Sequence, residues 1–139
     1  MARIFVAVVE SPQDRSELDR SVGAPIERQH IIRNFSDATY PELIDIERRG
    51  HGFYAWGLRP TPENIENWFL MSVGDFVLVA QKGSYRQYAK VLGRYENAKA
   101  ARAIWGEDGA AEGIREYLFF LSEPMSVGLP CSELADYLP

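Results

Sequence analysis

The chain has 139 residues, 46% of them hydrophobic and 25% charged, and a formal net charge of −5. That length fits one domain with an ordinary core, and the composition excludes a disordered or low-complexity protein. Proteins that coat nucleic acid nonspecifically are basic overall, so any nucleic-acid binding here must come from a local patch together with a pocket.

The run Ile4 to Val9 is apolar on both faces and reads as an interior strand. It is too short to span a membrane, and Glu10-Ser-Pro follows it with no small-residue cleavage site, so it is not a signal peptide. Ser11-Pro12 looks like a helix cap followed by proline at the first helical position, opening a polar helix that ends near Gly23. Residues Pro25 to Phe35 carry no decisive pattern. Leu43, Ile44 and Ile46 suggest a short amphipathic helix over Pro41 to Arg49, with Gly50 as its stop.

Phe53 to Leu58 is an aromatic-rich strand halted by Pro60, and Thr61-Pro62 repeats the cap-plus-proline signature. Ile65, Trp68 and Phe69 fall at helical spacing and predict one buried helix face. Gly74-Asp75 is a turn, and Phe76 to Ala80 is a dense β run. Lys82-Gly83-Ser84 is a hairpin loop, and Tyr85 to Tyr95 forms the return strand. Asn97 caps an alanine-rich helix that ends at Trp105-Gly106. An acidic, glycine-containing loop runs to Gly113, Tyr117 to Leu121 is a last apolar strand, and Glu133 to Leu138 is a weak helical tail. The expected fold class is α+β, a small mixed barrel of about five to six strands with short flanking helices. A doubly wound parallel sheet is excluded by the irregular alternation of strands and helices.

Nothing in the sequence supports catalysis. His30 and His51 are isolated, and the single cysteine, Cys131, has no partner. No P-loop, GxSxG or HExxH is present, nor the Asp followed by Glu-x-Lys usual in nucleases. No cofactor or metal is expected. One cysteine also rules out an intrachain disulfide and suits a reducing, cytoplasmic compartment. Charge is the informative feature. From Lys82 to Arg102 there are six basic residues (Lys82, Arg86, Lys90, Arg94, Lys99, Arg102) and one acid, Glu96, a local balance of 6 − 1 = +5. The remainder of the chain therefore sums to −5 − 5 = −10. A polyanion-binding face on an acidic body is the simplest reading of that asymmetry.

The succession of AWG (Ala55 to Gly57), a helix carrying Asn64 and Trp68, GDFVLV (Gly74 to Val79), a Lys82-Gly83 hairpin, KVLGRY (Lys90 to Tyr95) and Ile104-Trp105-Gly106 resembles the EVE-type branch of the PUA-like superfamily. In particular it resembles the version that serves as the recognition domain of McrB-type, modification-dependent restriction systems, whose architecture is similar to YTH domains. The resemblance covers about Gly52 to Tyr137. Residues 1–50 add a strand and helices of unassigned role. The resemblance implies a single, non-enzymatic domain of 139 residues, either complete or part of a longer chain, that flips a modified base into an aromatic pocket. By position, Trp56 matches the first cage tryptophan and Trp105 the second. Tyr54 shares the strand face of Trp56, and Asn64 stands near the pocket mouth, where an amide can read a base edge.

Each reading has a structural rival. Trp56 can be a core residue, although Gly57 beside it marks a close approach of backbone or ligand. Trp105 can equally be core, Trp68 is expected to be core, and Asn64 can simply cap its helix. Lys82, Ser84, Arg86 and Lys90 are the expected phosphate and groove contacts, with Tyr85 and Tyr88 available for stacking. The expected partners are modified double-stranded DNA and a nuclease or motor domain or subunit, with no membrane. The alternatives are an RNA-binding domain of the same superfamily and a protein-interaction module whose basic face docks an acidic partner.

Overall fold

The computed structural model describes residues 2–106 and 113–130. Cys131 and the expected helix Glu133–Leu138 lie outside them. Among the described residues, six strands and five α-helices follow in the order β1 (Ile4–Val8), α1 (Pro12–Ser21), α2 (Arg28–Ile32), α3 (Tyr40–Gly50), β2 (Tyr54–Leu58), α4 (Pro62–Leu70), β3 (Phe76–Gln81), β4 (Ser84–Glu96), α5 (Ala98–Trp105), β5 (Tyr117–Leu121) and β6 (Met125–Pro130). The strands form one mixed sheet in the order β1-β3-β4-β5-β2, with β6 also paired to β4. This is the α+β arrangement expected. The strand β6 and the short helix α2 are additions to it.

β4 organises the sheet. Its 13 residues pair with β3 along one edge, while the other edge is divided between β6 at Ser84 to Tyr88 and β5 at Val91 to Glu96. The hairpin before it turns through Lys82 and Gly83, both at positive φ (50° and 75°), the geometry a two-residue turn needs to match strand twist. At Gly93 the register shifts, and an added Cβ there would meet Ile46 Cδ1 at 2.9 Å. Glycine thus lets α3 lie close against β4.

The helices start where the sequence indicated. Ser11, Thr61 and Asn97 each accept a backbone N–H three residues on. α3 departs from expectation at its end: Gly50 stays helical and His51 takes the left-handed conformation at φ 56°. The Nδ1 of His51 lies 3.0 Å from Glu123, tying that corner to the turn before β6. Helices α1, α2 and α5 pack together, with α1 against β2. The core runs from Leu18, Ile31, Leu43 and Ile46 to Val77, Val91, Leu118 and Phe120. Among the described residues, no helix is long and apolar enough to cross a membrane.

Two expectations need correction. β1 is an edge strand, not an interior one. Among the described residues it pairs, in parallel, with β3 alone, and Ile4, Val6 and Val8 are 42%, 47% and 60% exposed. The helix α4 does not bury Phe69, which is 62% exposed; Trp68 is the buried residue, its indole N–H donating to the Leu118 carbonyl at 2.9 Å.

β1 is anchored at its start by Asp75, which is buried and accepts the backbone N–H groups of Arg3 (2.9 Å) and Ser72 (2.8 Å). The Arg3 amide bond is the chief cause that holds this carboxyl below its ordinary value. A depressed folded pKa stabilises the fold above the unfolded carboxyl value near 4, and the contribution fades as pH falls through the folded value. Asp75→Asn is expected to cost about 1–3 kcal/mol at neutral pH and to lose less stability than the native chain between pH 5 and 3. Denaturant titrations across that range check both.

Candidate nucleic-acid interface

The sheet curls until its end strands β1 and β2 face each other, yet no ladder joins them among the described residues. A cleft of about 230 Å³ lies in the gap. One wall is Ile4, Phe5, Val6 and Ala7 of β1; facing it are Leu58, the α4 residues Asn64 and Asn67, and Met71 just past the helix end, with Val77 and Phe119 at the base. Residues from both faces of β1 line the cleft, so it runs along the strand's free edge. An edge strand carries a row of unpaired N–H and C=O groups. Asn64 and Asn67 stand three residues apart and so share one face of α4. The wall is therefore apolar, with backbone polar groups on one side and two amides on the other.

The two amides differ. Asn64 has its backbone N–H capped by Thr61 Oγ1 at 3.1 Å, and its side-chain Nδ2 donates to the Arg59 carbonyl at 3.0 Å. Its capping and side-chain roles coexist, but the side chain retains only an acceptor for anything in the cleft. Asn67 makes no side-chain hydrogen bond among the described residues, so it can donate and accept together. Sequence reasoning missed Asn67. Its spacing of three from Asn64 was the available signal.

Trp56 and Trp105 do come together, edge to face with ring centroids 6.0 Å apart, but they are only 4% and 2% exposed. The Arg115 guanidinium lies 4.0 Å from the Trp56 ring centroid, and the Trp105 indole N–H points at Glu17 O (3.2 Å) and Ser21 Oγ (3.1 Å). The pair is thus closed by protein in this structure. Gly57 marks a close approach, as expected, and what approaches is Arg115: an added Cβ would sit 2.5 Å from its carbonyl oxygen and 3.1 Å from Trp105 Cη2. Tyr54 is buried elsewhere along β2, its phenol pKa raised by burial and then by Glu123. Of the four expected pocket residues, only Asn64 lines the cleft.

Behind Trp56 sits a four-charge cluster. Arg59 bonds Asp14 (3.3 Å) and Glu17 (3.1 Å), while Arg115 bonds Asp14, lies 3.5 Å from Glu17 and donates to the Gly57 carbonyl at 2.9 Å. Burial, and then repulsion from Arg59, lower the Arg115 pKa. Nothing in the sequence announced this cluster, because Arg115 and Asp14 are 101 residues apart.

The basic residues divide among three places. Lys82 is at the hairpin tip, with Arg86 and Lys90 exposed along the first half of β4. Across the sheet Ile4, Phe76 and Lys90 stand in register, as do Val6, Leu78 and Tyr88. Lys90 and Tyr88 therefore lie on the same sheet face as the outer cleft wall, two strand spacings or about 10 Å away. Ser84 is half-buried and Tyr85 buried, so Tyr88 is the ring on offer for stacking. Arg94 is instead pinned over Trp68, 4.7 Å from its centroid, and donates to the Trp68 carbonyl. Lys99 and Arg102 ride on α5, away from both. No group of three or more His, Cys, Asp or Glu is placed to hold a metal among the described residues.

No family model matches this sequence, and no curated protein matches it. Among solved structures, the chain is similar to the N-terminal domain of Thermococcus gammatolerans McrB bound to m5C DNA. The TM-score is 0.65 at 14% identity, over 96% of this chain and 81% of that one. At that identity the likeness is one of fold: the chain shares the α+β fold of that McrB domain, the kind of domain the sequence resemblance pointed to.

The charge cluster is expected to be costly to break and not to repair. Glu17→Ala should lower stability by about 3–5 kcal/mol by leaving buried guanidinium charge uncompensated. Urea denaturation reads the change, and a loss under about 1 kcal/mol would show that the cluster behaves as a surface pair.

Proposed function

We propose that this domain binds methylated DNA without catalysis, as the specificity module of a modification-dependent restriction system, and receives the marked base in the cleft between β1 and α4. The observation that carries the reading is the cleft itself. An apolar slot flanked by two amides and a strand edge lies in a fold shared with a DNA-bound McrB domain.

A base inside a duplex cannot reach this cleft, so the mechanism is extrusion. Unstacking costs a few kcal/mol. Contacts with Phe5, Leu58 and Met71 along the cleft, hydrogen bonds from Asn67 and the β1 edge, and phosphate contacts from Lys82, Arg86 and Lys90 offset it. Aromatic stacking supplies about 1–3 kcal/mol per base where it occurs. Trp56 and Trp105 act here from behind. Trp56 pairs across the ladder with Phe119 at the cleft base, and the Arg115-capped cluster keeps that ladder in place.

Matched duplexes that are unmodified, 5-methylcytosine-containing or N6-methyladenine-containing test this by fluorescence anisotropy at fixed salt, with single-stranded RNA as competitor. The native chain is expected to favour one marked duplex by about tenfold or more. Asn67→Ala should remove most of that preference. Lys90→Ala should weaken all duplexes alike and reduce the salt slope by about one. Equal affinity for every duplex, or displacement by RNA at lower concentration than by DNA, would overturn the reading in favour of the RNA-binding or protein-docking alternatives.

A further inference from the structure

Resting on that reading, we infer that the cleft selects a modified cytosine or adenine by the amino group at cytosine C4 or adenine C6, and that the Oδ1 of Asn64 is the selecting atom. The hydrogen-bond pattern assigns the amide unambiguously. The partner of its Nδ2 is the Arg59 carbonyl, which can only accept. The oxygen is thereby turned to the other side of the amide and takes no hydrogen bond among the described residues.

The orientation is locked from behind. Residue 59 is held by its own guanidinium, only 14% exposed, which grips Asp14 at 3.3 Å and Glu17 at 3.1 Å on α1. The Asn64 backbone is fixed separately by the Thr61 cap. Rotating the amide by half a turn would set its oxygen against the Arg59 carbonyl oxygen, acceptor against acceptor. Asn67 has no such anchor and adapts to either polarity, so it contributes affinity without choosing among bases.

When a base fills the cleft, Asn64 Oδ1 loses water and must receive a donor or remain unsatisfied. Cytosine and adenine present an amino group; thymine and guanine present a carbonyl oxygen at the corresponding position. A methyl at cytosine C5 leaves both amino hydrogens, and a single methyl on adenine N6 leaves one, so either mark keeps the donor. The apolar side chains of Leu58, Met71 and Val77 offer the methyl a dry surface. Selection of the amino group and selection of the methyl group thus belong to different residues.

The test uses the full chain and duplexes in which the central base stands opposite an abasic site, so that extrusion costs are matched. The central bases are cytosine, 5-methylcytosine, N6-methyladenine, and 5-methyl-2-pyrimidinone, which is 5-methylcytosine without its amino group. Binding of at least one methylated amino base is expected to be tighter than that of the amino-free base by about tenfold; which one it is separates the cytosine source from the adenine source. Asn64→Leu should erase that difference for the cytosine pair while keeping the preference for 5-methylcytosine over cytosine where the native chain has one. Equal affinity for 5-methylcytosine and its amino-free counterpart, in a chain that prefers 5-methylcytosine to cytosine and binds N6-methyladenine no tighter than the amino-free base, overturns the inference and leaves the base-binding reading intact. No preference among any of the four overturns both. The base series on the native chain carries the test even where Asn64→Leu does not fold.

Discussion

The feature on which the rest depends is a hydrogen-bond ladder that is not made. β1 and β2 stand at the two ends of the sheet, and a ladder between them would close the barrel. Helix α4 follows β2 after three residues and is held against β5 by the Trp68 indole bonded to the Leu118 carbonyl. That bond keeps the helix beside the position a closing strand would need. Among the described residues β1 pairs only with β3 and keeps one row of backbone groups without a strand partner. A free edge of this kind is ordinarily an aggregation risk and is blunted by charge or proline. Here β1 carries neither, and the groove along it is lined by amides.

The second constraint is the cluster of Asp14, Glu17, Arg59 and Arg115. Its four formal charges cancel, so its net stabilisation is small beside an apolar core of the same volume. Its effect is geometric. It joins α1 to the residue after β2 and to the segment before β5, three places far apart in sequence that must agree before the cleft has walls. It also occupies the face of Trp56, so the chain stacks its own guanidinium where an aromatic cage would hold a ligand. A cation over an indole in a desolvated site is favourable, which explains why this tryptophan is neither exposed nor packed only against aliphatic residues.

Local chemistry was legible in the sequence and long-range placement was not. Thr61-Pro62, Asn97 and Lys82-Gly83 are read correctly because caps and two-residue turns are decided within four residues. β1 is misread because five apolar residues in succession report hydrophobicity, not the number of neighbouring strands. Its three exposed aliphatics become visible only once the parallel register with Phe76 to Ala80 is known. The burial of Trp56 and Trp105 was hidden for a related reason. An aromatic beside a glycine signals close approach, but the approaching atom was Arg115, 58 residues along the chain from Gly57. The basic segment is continuous in sequence yet splits in space, because Gly93 and the start of α5 turn its later members away from the face that carries Arg86 and Lys90.

Charge sets how such a domain would use its cleft. At a net charge of −5, the far field opposes approach to DNA, and attraction arises only where Lys82, Arg86 and Lys90 stand together. Counterion release from so few contacts gives weak, salt-sensitive nonspecific binding. A strongly basic domain would hold any duplex and gain little further from a base in a pocket. In an acidic one, the phosphate contacts alone leave the complex short-lived, so residence depends on filling the cleft. Under the proposed function the acidic body therefore contributes to selectivity: it lowers affinity for unmarked DNA while leaving untouched the desolvated contacts that a marked base would make between β1 and α4.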